Sequence, residues 1–183
     1  GRAHSSPRPV ARACETRVIA SRVSASLRQA GARLSHVRVR AYQPEDFEAA
    51  YHLDQACYPP GIAYSRYALH EFFSLPGSVA WVAEEETEML AFVIVRQVGR
   101  KRGHVITLDV REDRRQRGIG RRLLATAETW LRAQGVERVR LEVAVENPAA
   151  VAFWQQAGYQ VERVLPRYYL GRDDAYRMEK ELA

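Results

Sequence analysis

Two cysteines, Cys14 and Cys57, are all the chain contains, and no run of eighteen apolar residues occurs anywhere in it. Two cysteines make no disulfide framework, so a reducing, cytoplasmic setting is expected. The missing apolar run excludes a transmembrane helix by sequence. No cluster of Cys and His has ligand spacing, and no metal site is expected. Two phosphate loops are also lacking. The dinucleotide fingerprint requires a third glycine where Leu123 stands, and no Gly-Lys-Ser/Thr follows Gly120. No internal repeat is evident. Excess positive charge is missing from most of the chain as well. The first 36 residues hold seven Arg and one Glu, which account for the whole net charge of +6; the remainder holds 21 basic and 21 acidic residues. A nucleic-acid reading drawn from overall charge therefore applies at most to the N-terminal 36 residues.

What is present centres on Arg114-Arg115-Gln116-Arg117-Gly118-Ile119-Gly120-Arg121. A β-like run, 104–110, leads into it. A helical pattern leaves it, with Ile119, Leu123, Ala127, Trp130 and Leu131 on one face. The first turn of a helix has unpaired N–H groups and partial positive charge. Glycines let an anion approach the backbone, and arginines at 115, 117 and 121 add charge. The stretch reads as a seat for a diphosphate.

The remaining elements follow from local signals. Residues 1–36 form a basic extension expected to be flexible or partly helical, and a domain starts at Val37. Alternation over 37–42 predicts an edge strand. Gln43-Pro44-Glu45-Asp46 opens a helix to about Cys57, and Ser65 caps a second one to Leu75. Strands at 79–83 and 89–98 flank a solvated acidic turn, 84–88. Beyond the glycine turn come a helix over 118–134 ended by Gly135, a strand over 136–145, and a helix opened by Asn147-Pro148. Strands at 159–165 and 175–182, joined by a loop over 166–174, close the chain. The order β α α β β β α β α β β predicts an α/β fold: a mixed, mostly antiparallel sheet with helices on both faces.

Four stretches, in order, carry a resemblance. The R-x-x-G-x-G turn and the segment Leu141-Glu142-Val143-Ala144-Val145-Glu146-Asn147-Pro148-Ala149-Ala150-Val151-Ala152-Phe153-Trp154-Gln155-Gln156-Ala157-Gly158-Tyr159 resemble the acetyl-CoA signature of the GNAT acetyltransferase superfamily. Pro166-Arg167-Tyr168-Tyr169 with Asp174-Ala175-Tyr176-Arg177-Met178, and Cys57-Tyr58-Pro59-Pro60, are similar to stretches of its ribosomal-protein alanine N-acetyltransferase (RimI-like) group.

The resemblance implies acetyl-CoA as co-substrate. Backbone at Leu108, Asp109 and Val110 would hold its acetyl and pantetheine portions, and amides from Arg115, Gln116, Arg117, Gly118, Ile119, Gly120 and Arg121 its pyrophosphate. Asn147 would touch the pantetheine arm, cap its helix, or do both. Glu142 stands where the group carries a base; as an outward strand carboxylate it would have no such role. His104 aligns with a catalytic tyrosine of some relatives, or is a surface residue. Tyr58, Pro59 and Ile62 would line the pocket for the acceptor's first side chain, with Tyr168 and Tyr169 over its backbone. Trp154 replaces the tyrosine that the family uses as an acid toward the thiolate, and indole N–H donates a hydrogen bond without transferring a proton. The implied activity is direct acetyl transfer to a protein or peptide N-terminal amine. The alternatives are a small amine or lysine as acceptor, and a non-catalytic CoA-binding module.

Overall fold

The computed structural model describes residues 36–182, so the N-terminal extension expected over 1–36 lies, apart from His36, outside the described residues. Seven strands form one sheet: β1 (Val37–Ala41), β2 (Ser78–Glu85), β3 (Glu88–Gln97), β4 (Arg102–Val110), β5 (Arg138–Ala144), β6 (Gln160–Tyr169) and β7 (Asp173–Glu181). Their spatial order is β1-β2-β3-β4-β5-β7-β6. Every neighbouring pair is antiparallel except β4 and β5. Among the described residues four α-helices accompany them: α1 (Phe47–Cys57), α2 (Arg66–Ser74), α3 (Ile119–Ala133) and α4 (Pro148–Gln156). No helix among the described residues is long and apolar enough to cross a membrane.

Helix starts follow their caps. Ser65 accepts from the amide of Ala68, and Asn147 accepts from that of Ala150 ahead of Pro148. Helices α1 and α2 cover one face of β2–β4, where Leu53, Leu69, Val82, Phe92 and Ile94 form a cluster joined by Phe47, Phe73 and Ile106. Helix α3 covers the other face and buries Leu123, Ala127 and Leu131. Burying three such side chains contributes several kcal/mol in all, at roughly 1.5–3 each for the larger ones. Glu128, also buried, accepts from Lys180 Nζ of β7 at 2.8 and 2.9 Å and from the Tyr159 hydroxyl at 3.1 Å. That network fastens α3 to the far half of the sheet.

Three expectations need correction. The acidic turn is shorter than 84–88, because β2 runs on to Glu85 and β3 starts at Glu88. Glu84 is buried and holds Arg38 at 2.6 Å and Arg40 at 2.8 Å, while Arg40 also grips Asp46. A strand residue facing two arginines is not a solvated turn residue. The loop over 166–174 shrinks to Leu170–Arg172, since β6 continues through Pro166 to Tyr169. Proline is tolerated there because β6 is an edge strand. The β-like run expected over 104–110 likewise starts earlier, with Arg102 and Gly103 already in β4.

Candidate active site

The site begins where β4 and β5 part. They pair in parallel only from Arg102↔Arg138 to His104↔Arg140, although β4 continues to Val110 and β5 to Ala144. A bulge in β4 sits at this point: Val105 pairs Val95, Thr107 pairs Ile94, and Ile106 is the extra residue. The bulge also exchanges the faces. Before it, Gly103 lies against Leu131 of α3; after it, Leu108 and Val110 lie against Gly120 of α3. Thr107 and Asp109 turn to the opposite face, toward Tyr58 at the end of α1. Beyond His104, the β4 edge turned toward β5 has no ladder partner. An open strand edge of that kind accepts an extended, amide-bearing ligand as an added strand would.

At the far end of the wedge lies the glycine turn. Gln116 and Gly118 have left-handed φ of 58° and 81°. The first intrahelical bond of α3 is from Arg122 N to Gly118 O, and none of the amides from Gln116 to Arg121 donates to a partner among the described residues. Six consecutive N–H groups thus remain for an acceptor. Gly120 serves a purpose other than the approach of an anion. A Cβ there would stand 3.3 Å from Leu108 and Val110 and 3.5 Å from Phe153, so its absence lets α3 close onto β4. Arg115 binds the Val110 carbonyl through Nε at 3.0 Å, and Arg121 the Gln156 carbonyl at 3.1 Å. Neither they nor Arg117 forms an ion pair among the described residues, so their charge is not cancelled by a carboxylate. A diphosphate linked to an amide-bearing arm fits this arrangement: charge at the turn, open backbone along the wedge.

Across the wedge, His104 Nε2 lies 2.7 Å from Glu142 Oε2, and Arg177 Nε donates to Glu142 Oε1 at 3.1 Å. Burial by itself would raise the Glu142 pKa. The hydrogen bond and charge of His104, with those of Arg177, outweigh it and hold the carboxyl below the ordinary glutamate range. Ionised Glu142 can only accept, so a proton on His104 Nε2 is directed at it, and Nδ1 is the nitrogen that Glu142 does not engage. The side chains of Glu142 and His104 are 8% and 25% exposed, so both are largely sheltered.

Aromatics surround this pair. The Tyr169 hydroxyl donates to the Glu142 carbonyl at 3.4 Å, and Tyr168 stands edge-on to Tyr169 with ring centroids 5.0 Å apart. Tyr58 approaches Thr107 Oγ1 at 3.4 Å, and Tyr64 the Ile106 carbonyl at 3.4 Å. Ile62 folds back through its amide onto the Pro59 carbonyl. The two rims meet at Gly61, whose Cβ position is 3.5 Å from Leu170 at the β6–β7 turn.

Asn147 takes the helix cap that the sequence offered, and three further residues occupy settings that it did not specify. Asn147 caps α4 through its carbonyl oxygen. Trp154 is buried, edge-on to Phe153 at 5.0 Å and to Tyr159 at 5.3 Å. Asp109 is a buried carboxyl whose pKa burial raises to about 7, with Asp54 adding to the rise. Cys57 is pushed up to about 11, chiefly by burial, which makes it a poor nucleophile at neutral pH. Sequence reasoning missed Arg177, Thr107 and Tyr64. Only strand register places Arg177 opposite Glu142, and register was not legible.

The chain is similar to known proteins in sequence and in fold. The family model described as acetyltransferase (GNAT) family matches residues 47–159. An uncharacterised N-acetyltransferase of Methanocaldococcus jannaschii is 27% identical over 144 residues, spanning 78% of this chain and 90% of its own length. The ribosomal protein bS18-alanine N-acetyltransferase of Escherichia coli is 28% identical over 145 residues, spanning 76% and 94%. The solved structure of the S18-alanine enzyme from Escherichia coli superposes with a TM-score of 0.72 at 25% identity, over 80% of this chain and 94% of that one. Ard1 from Thermoplasma volcanium shares the fold, with a TM-score of 0.75 at 24% identity over 81% and 99%. The chain belongs to the acetyltransferase (GNAT) family and is an acetyl-CoA-dependent N-acetyltransferase.

Proposed function

We propose that the acceptor is the N-terminal amine of a peptide or protein. One observation carries the reading: the His104–Glu142 pair sits at the split between β4 and β5, roofed by two tyrosine-bearing rims. The similarity to the bS18-alanine enzyme supports it. Acetyl-CoA supplies an activated acyl group on a thiol leaving group. The turn from Arg115 to Arg121 holds its pyrophosphate, the Leu108–Val110 edge its amides, and the Asn147 side-chain amide the arm between.

An amine attacks only when neutral, and an N-terminus is mostly charged near pH 7. Glu142, fixed by Arg177, orients His104 and stabilises the charge the imidazole gains on taking a proton at Nδ1, directly or through water. Such proton transfer contributes about 10²–10⁴-fold. Tyr58, Pro59 and Ile62 border the first side chain, and Tyr168 and Tyr169 border the backbone. Residues 37–183 make up the catalytic domain and 1–36 a basic extension, with the cytoplasm as the compartment.

The test is incubation with acetyl-CoA and peptides that differ in their first two residues, read by mass spectrometry. The expected product carries acetyl on the N-terminal nitrogen. Product from small amines or lysine side chains, with none at any N-terminus, would overturn the reading.

A further inference from the structure

The sheet is covered unevenly. Helices α1 and α2 shelter β2–β4, but among the described residues no helix lies over the same face of β5, β7 and β6, and β6 is exposed along nearly its whole length. On that bare face is a cleft of about 320 Å³ lined by five arginines, at 102, 138, 140, 163 and 177, with Glu162 and Glu179. Two of the five are committed: Arg138 pairs with Glu181 at 3.0 Å, and Arg177 with Glu142 at 3.1 Å. The side chains of Arg102, Arg140 and Arg163 make no hydrogen bond and no ion pair among the described residues. Arg140 is half-buried, and its guanidinium has no acceptor among the described residues. A guanidinium in that position favours a carboxylate, which it can meet with two parallel N–H bonds.

The cleft is continuous with the catalytic pair. His104 is the cross-strand partner of Arg140, and Glu142 follows Arg140 by two residues on the same face, about 7 Å away. Arg177 belongs to both. Resting on the reading of a polypeptide acceptor, we propose that this cleft is an acceptor subsite: it binds acidic side chains of the polypeptide whose N-terminus is acetylated. The chain that delivers its amine to His104 and Glu142 lies over the bare face of β5, β7 and β6, and its carboxylates pair with Arg102, Arg140 and Arg163. The interleaved carboxylates of Glu162, Glu179 and Glu181 suit separate carboxyl groups and repel a continuous phosphate backbone. That pattern favours an acidic peptide over nucleic acid.

The test pairs peptides identical in their first two residues that carry Asp and Glu, or Asn and Gln, at positions three to eight. With the full chain and acetyl-CoA, the acidic member is expected to have a KM about tenfold lower, and the preference shrinks as sodium chloride is raised. In a variant with Arg102→Gln, Arg140→Gln and Arg163→Gln the acidic-to-neutral ratio of kcat/KM falls toward one. Equal KM for both peptides on the wild-type chain would overturn the subsite while leaving N-terminal acetylation intact. An N-terminally blocked acidic peptide, followed by fluorescence anisotropy, separates the two claims. Arginine-dependent binding of that peptide without turnover of any free peptide would sustain an acidic-peptide cleft and remove the N-terminal reading. No binding would remove the cleft. An RNA oligonucleotide that binds in an arginine-dependent way and displaces the acidic peptide would reassign the surface to nucleic acid.

Discussion

His104 is the last residue of β4 to pair with β5, and its Nε2 reaches past its own partner, Arg140, to Glu142 Oε2 at 2.7 Å. The bond spans the strands at the point where they separate. It therefore places an imidazole at the apex of the open wedge. In the proposed mechanism the ring and the ionised carboxylate act as one unit.

Units of this kind lose activity non-additively. Glu142→Gln and His104→Asn are each expected to lower kcat by about 10²-fold or more. The double variant should be little worse than either single one. Steady-state kcat on the best peptide measures this. Independent losses that multiply in the double variant would separate the two residues.

The turn before α3 makes a second, separable prediction. Arg117 has no partner among the described residues, so Arg117→Gln should raise the KM for acetyl-CoA several-fold, more at low salt than at high, and leave the melting temperature unchanged. Gly120→Ala should do both kinds of damage. Its new methyl meets Leu108 and Val110 at 3.3 Å, and overpacking there costs about 1–3 kcal/mol. Thermal melts with and without CoA, beside KM values, distinguish a lost charge from a displaced helix.

Much of this fold was legible because its signals are local. Ser65 and Asn147-Pro148 announced helix starts, and α3 showed its buried face by spacing alone. What stayed hidden depends on register. Glu128 looks like any helix-surface glutamate, yet α3's packing buries it against Lys180 and Tyr159. Arg177 looks like an exposed strand residue until β7 is aligned antiparallel to β5. The exchange of faces in β4 needs the bulge at Ile106, which no residue in the strand betrays. Alternation places Asp109 on the same face as Gly103, but the structure turns it toward α1.

That displaced face gives Asp109 a pH signature. Its carboxyl hydrogen-bonds Thr107 Oγ1 at 2.9 Å through one oxygen, and the other oxygen is buried without a partner. Burial raises its pKa to about 7, against about 3.9 for an unfolded chain. The native state therefore favours the protonated form, and the stability this confers is complete below about pH 4. It is lost progressively as pH rises through 7, and above that the loss levels off. Wild-type protein should melt several degrees lower at pH 8 than at pH 5.5. Asp109→Asn should flatten that difference, most of the gain appearing at pH 8. A melting profile equally steep in both proteins would place the pH dependence elsewhere, with Asp54, raised to about 6 mainly by burial, as the next group to replace.

Trp154 bears on how the leaving thiolate is met. The residue is buried between Phe153 and Tyr159, with edge-on contacts at 5.0 and 5.3 Å, so its first duty is to hold α4 against the sheet. Trp154→Ala should cost about 3–5 kcal/mol of stability. Trp154→Tyr keeps an aromatic ring and adds a hydroxyl that can give up a proton. CoA thiolate is a tolerable leaving group, and kcat of the tyrosine variant is therefore expected to stay within about threefold of wild type, a difference of less than 1 kcal/mol in the barrier. Thiol release measured alongside acetylated product reports the step directly. A tenfold or larger rise in kcat would mean that proton delivery to sulfur limits the native enzyme.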